Sequence, residues 1–165
     1  MTNIKKELKQ YIKENMIIIN KRSSSLSKLK NFFAADYSVL EEASIESYIN
    51  TNKEYNNFQN LLFKYIDDRN LKDSDVYNKV HIDRRLFSKI RSDNNYHPSK
   101  ETVLLLAISL ELSIEELEEL LKSASYSLPK NNEYDLIIRF CFINKIFKLT
   151  DINEFLDDYN CKVFN

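Results

Sequence analysis

The chain of 165 residues contains no glycine at all, where about 7% is usual. This removes every Gly-rich phosphate loop, dinucleotide fingerprint and nucleophile elbow, so nucleotide-dependent enzymes are not expected. Cysteine is almost as scarce. Cys141 and Cys161 stand alone, without a close Cys or His at metal-ligand spacing, and Cys141 lies in the apolar string IIRFCF, where a buried structural thiol is the simpler reading. His81 and His97 likewise lack a partner at metal or triad spacing, so neither a cofactor nor catalytic activity is expected. The longest apolar run, in MIIIN at Met16 to Asn20, falls far short of the roughly 20 residues of a membrane span. Charged KKELKQYIKEN precedes it and KRSSS follows, which is not the pattern of a secretory signal. A cytoplasmic location is the expectation. A net charge of −1 also excludes a polycation that coats nucleic acid or an anionic membrane, so any affinity for nucleic acid must come from a local patch.

What is present is apolar periodicity. Hydrophobic residues make up 43% of the chain, enough for a core, and strand-like alternation is nearly missing, so the class is all-α. Pattern divides the chain into three stretches. Residues 1–57 read as an N-terminal helical extension in which Ile4, Leu8, Tyr11 and Ile12 share one helix face; a polar break NKRSSSLSK, a second helix over about Ser38 to Ile49 and an Asn-rich linker follow. Residues 129–165 read as a C-terminal helical extension carrying the apolar stripe Leu136, Ile137, Phe140, Cys141 and Phe147, with Thr150 placed to cap a last short helix.

Residues 58–128 read as five short helices. Phe58, Leu61, Leu62, Tyr65 and Ile66 form the stripe of the first, and Asp73 is positioned as N-cap of the second, with Val76 and Val80 inward. Asp83 caps the third, with Phe87 and Ile90 inward. Ser99 caps the very apolar KETVLLLAISLEL, and Ser113 with Glu116 makes a capping box for the fifth. Glu115, Glu116, Glu118 and Glu119 fall outside the Leu117, Leu120 and Leu121 stripe, where capping and solvation account for them. Between Lys79 and Lys100 there are six cations, Lys79, Arg84, Arg85, Lys89, Arg91 and Lys100, against only Asp83 and Asp93. Glu111 to Glu119 is purely acidic by contrast, which points to a polarised molecule.

The strings NLKDSDVYNKVHIDRRLFSKIRSD and HPSKETVLLLAISLELSIEEL resemble the XRE-type, or lambda-repressor-like, helix-turn-helix domain over Phe63 to Leu121. VYNKVHIDRRLFSKIRSD through SASYSL and EYDLIIRF also resembles a narrower group in Gram-positive bacteria that has no defined activity to carry over. The resemblance implies a five-helix bundle in which residues 73–80 and 84–92 are the two motif helices. It further implies a regulator that reads double-stranded DNA with Arg84, Arg85, Ser88 and Lys89 at base edges, and with Lys79, Arg91 and Lys100 on phosphates.

The chain departs from the family at three places. Asp73 stands where a phosphate-anchoring Gln is usual, Tyr77 where a small Ala lets the helices approach, and His81 where Gly usually takes the left-handed turn. The alternative reading is a non-catalytic protein-interaction or adaptor module, in a phage- or stress-related setting, in which the helix-turn-helix is only a scaffold. The apolar flanking helices would then meet a protein partner or a second copy, because they carry more hydrophobic surface than a five-helix motif needs. No membrane and no small-molecule substrate is expected in either case.

Overall fold

In a computed structural model that describes residues 2–17, 57–93 and 95–164, eight α-helices account for the regular structure and no strand occurs among the described residues. They are α1 (Thr2–Ile17), α2 (Phe58–Asp68), α3 (Asp73–Lys79), α4 (Arg84–Ser92), α5 (Lys100–Ser109), α6 (Ile114–Ser123), α7 (Glu133–Ile143) and α8 (Leu149–Asp158). The helix expected over Ser38 to Ile49, the NKRSSSLSK break and most of the Asn-rich linker lie outside the described residues.

Helix starts follow the sequence signposts closely. Asp83 accepts from the Arg85 N–H at 2.6 Å, Ser99 from Thr102, and Ser113 and Glu116 exchange both bonds of a capping box. Asn57 and Asn132 cap α2 and α7 in the same way. Two expected caps are corrected. The N-cap of α3 is Lys72, with no side-chain bond, because Asp73 is already helical and its carboxylate is turned to Arg91. The N-cap of α8 is Lys148, and Thr150 lies inside the helix with its hydroxyl on the Asp151 carboxylate.

A chain without glycine must stop its helices by other means. Each of α2, α3, α5, α6, α7 and α8 is followed by a residue in the left-handed region: Asn70, His81, Glu111, Ser125, Lys145 and Asn160, with φ between 51° and 60°. In all six the next residue donates its N–H five positions back, as in Leu71 to Ile66, Ile82 to Tyr77 and Ile146 to Cys141. These are Schellman ends, and the residue making that bond is apolar or thiol in every case: Leu71, Ile82, Leu112, Tyr126, Ile146 and Cys161. At five of these ends, Ile82, Leu112, Tyr126, Ile146 and Cys161, that side chain turns back onto the core, whereas Leu71 is exposed; at all six a residue with a Cβ sustains a conformation costing it roughly 1–2 kcal/mol. His81 at φ 57° occupies the turn position assigned to it from the sequence. Replacing Ser125, an exposed member of the set, with glycine should raise stability by about 0.5–1 kcal/mol, since relief of the left-handed strain outweighs the added freedom of the unfolded chain. The urea midpoint should rise with an unchanged slope; a fall would mean that the Cβ is not strained there.

One continuous core runs from Leu8 and Ile12 of α1, through Phe87 and Ile90 of α4 and all the apolar residues of α5, to Ile152 and Phe155 of α8. The flanking helices close on each other within it. Tyr11 meets the Phe140 ring at 5.6 Å, and Lys5 bridges Glu154 at 2.7 Å and Asp158 at 2.8 Å. Leu136, Ile137, Phe140 and Cys141 of the expected stripe are buried, whereas Phe147 is half-buried against Phe142. Burial pushes the Cys141 thiol up to about 12, so it stays protonated and inert as a structural residue. No described helix is long and apolar enough to cross a membrane.

Candidate nucleic-acid interface

Helix α4 is fixed from below and open above. Phe87 and Ile90 are buried, and Phe87 is wedged between the rings of Tyr77 at 5.5 Å and Phe63 at 6.3 Å. Bulky Tyr77, at a position where the resemblance implies a small residue, is therefore accommodated as a packing partner of Phe87. The loop beyond α4 is held by a buried polar residue, Gln59, whose Nε2 donates to the carbonyls of Asp93 and Tyr96 at 3.1 Å each. A Gln on an apolar helix face is a signal that a loop carbonyl needs a donor, and the apolar stripe of α2 alone does not single out Gln59.

With the inner face anchored, helical spacing turns Arg84, Arg85, Ser88 and Lys89 outward, and all four are exposed. The four residues expected at base edges therefore share one surface. Arg84 and Arg85 make no ion pair among the described residues, and Lys89 extends over the Tyr96 ring at 4.9 Å, which steadies its ammonium without neutralising it.

The three cations expected on phosphates are placed differently. Lys79 donates to Glu111 at 2.6 Å and to the Ser109 carbonyl at 3.1 Å. Arg91 pairs with Asp73 at 2.5 Å, and its guanidinium lies 4.0 Å above the Phe63 ring. Lys100 meets Asp135 at 2.5 Å; that carboxylate is 5% exposed and also accepts from Asn132. The first two pairs are well exposed, and such pairs contribute little and exchange readily. Lys100 is bound to a buried charge instead, and that pair joins α5 to α7.

Beside the exposed cations runs a groove of about 410 Å³ between α3 and α4, lined by Lys72, Asp73, Tyr77, Arg84, Ser88 and Arg91. Its floor is aromatic and its rim is mainly cationic. Compared with protein-family models, curated proteins and solved structures, the chain matches none of them.

Of the acidic residues of α6, Glu115 is exposed and Glu116 caps as expected, while Glu116, Glu118 and Glu119 also bind side chains of other elements. Glu118 pairs with Arg139 at 2.5 Å, Glu119 accepts from the Tyr65 hydroxyl at 2.7 Å, and Glu116 takes both a capping bond and Arg69. Burial alone would raise the Glu116 carboxyl, but the bonds from Arg69 and the Ser113 N–H outweigh it and hold its pKa below the ordinary value. Burial, and after it the Glu119 carboxylate, raises the Tyr65 hydroxyl and keeps it a donor. These carboxylates tie α6 to α2 and α7.

Proposed function

We propose that the protein is a DNA-binding regulator that lays α4 in the major groove of double-stranded DNA, with α2 to α6 forming a lambda-repressor-like helix-turn-helix bundle. One observation carries this reading: Arg84, Arg85, Ser88 and Lys89 stand together on the exposed face of a helix whose opposite face is locked into the core. A guanidinium can take the two acceptors of a guanine edge, and a hydroxyl or ammonium reaches a base edge or phosphate. The left-handed His81 between α3 and α4 supports the same assignment, since the resemblance places a turn of that hand there. Arg84 and Arg85 are the proposed principal readers.

Replacing Arg85 with alanine is expected to cost about 2 kcal/mol on the preferred sequence and to relax preference at one base position. Anisotropy of a labelled duplex and its single-base variants measures both. Equal weakening on every duplex would make Arg85 a phosphate contact instead. A second reading, an adaptor whose basic helix meets an acidic protein surface, draws support from the pairing of Lys79, Arg91 and Lys100 with carboxylates of the same chain, which thins the supply of phosphate anchors. Under that reading the Arg85 change would impair a protein complex, and duplex binding would be negligible from the start.

A further inference from the structure

Asp73 and Arg91 are 18 positions apart, at the first turn of α3 and the last turn of α4, and their contact crosses the α3–α4 groove. Arg91 is fixed on two sides, by the Asp73 carboxylate at 2.5 Å and by the Phe63 ring 4.0 Å beneath its guanidinium. Both side chains remain well exposed, at 48% for Arg91 and 37% for Asp73, so the pair lies where a polyanion approaching α4 meets it. We infer that Asp73 sets how strongly this surface grips polyanions, by holding Arg91 in an internal ion pair that a phosphate must displace. The inference rests on the proposed DNA reading and adds to it a residue that tunes affinity and salt dependence.

The physical case turns on what each group gains. In water an exposed pair of this kind contributes little to folding, so its loss leaves the helices in place. A phosphate brought to Arg91 must nevertheless first break that pair and then sit beside a carboxylate of like sign. Removing the carboxylate releases one guanidinium, already oriented by Phe63, to neutralise one more phosphate. Each phosphate neutralised on duplex DNA adds about 0.9 to the dependence of log affinity on log salt. Asp75 provides the comparison on the same helix: its carboxylate accepts from the Ser74 hydroxyl and bridges no cation among the described residues. The two aspartates carry the same charge, and only one restrains an arginine.

The test uses the full chain and a labelled 20-base-pair duplex of random sequence, with binding followed by anisotropy over a range of potassium chloride concentrations. Asp73→Asn should bind about fivefold more tightly than wild type at 0.1 M salt, with a salt slope steeper by about one. Asp75→Asn should change affinity by less than about twofold, because that carboxylate restrains no arginine and acts only through its screened field. In the double variant Asp73→Asn/Arg91→Ala the gain should vanish. A gain is not something that misfolding produces, and thermal unfolding of each variant checks that the fold is kept.

Wild-type binding with no tightening in Asp73→Asn, or equal tightening in Asp75→Asn, overturns the inference and leaves the DNA reading standing. Persistence of the gain without Arg91 overturns it as well. Duplex binding by Asp73→Asn but not by wild type supports it, and binding by neither overturns both.

Discussion

Replacement of Phe140 by alanine is expected to cost about 3–5 kcal/mol and to lower the melting temperature by about 10 °C. Phe140 is 4% exposed on α7, with its ring against Tyr11 of α1 and within the same core as α5 and α6. Truncation removes contacts to both flanks at once, and close-packed neighbours relax only partly into such a space. Circular dichroism against temperature measures the effect. An unchanged melting temperature, together with a drop in sedimentation coefficient from dimer to monomer, would show instead that this apolar face serves an interface.

The second large effect concerns Lys100. Changing it to methionine keeps the length of the side chain and removes the charge, leaving the Asp135 carboxylate buried with Asn132 as its remaining side-chain donor. An uncompensated buried charge is costly, and a loss of about 3 kcal/mol is expected. The double variant Lys100→Met/Asp135→Asn should recover most of it, because two neutral groups of similar shape need no mutual compensation. Urea unfolding of the three chains reads this directly. The same substitution separates the structural from the phosphate-binding role of Lys100: on duplex DNA it should weaken binding little while the protein is folded. A Lys100→Met chain as stable as wild type, with weakened DNA binding, would show that Lys100 acts as a phosphate contact.

How much of this was legible in the sequence depends on the range of the interaction. Caps at Asp83, Ser99 and Ser113 act within three residues and were read correctly, as was the left-handed His81, because each is a local contest between side chain and backbone. Asp73 shows the limit of that local contest. As a local residue it looks like a cap, yet Arg91, 18 positions away, claims its carboxylate. The outward set Arg84, Arg85, Ser88 and Lys89 followed from helical period alone, since Phe87 and Ile90 determine which way the helix rolls. The pairing of Lys79, Lys100 and the α6 carboxylates was not legible. It depends on which helices become neighbours, and no spacing rule within one helix carries that information. Gln59 lay between the two kinds, a polar residue at an apolar position whose meaning appears only when the carbonyls of Asp93 and Tyr96 arrive above it.

The measurement closest to the central claim is selection of wild-type protein against a pool of duplexes with a randomised central segment, at near-physiological salt, followed by Arg85→Ala on the winning sequence. A specific reader discriminates against a wrong base pair by about 1–3 kcal/mol, so successive rounds should converge on one short sequence, and the Arg85 variant should lose preference at a single position within it. Failure of the wild type to enrich any sequence would contradict the claim and leave the exposed face of α4 as a surface for a protein partner.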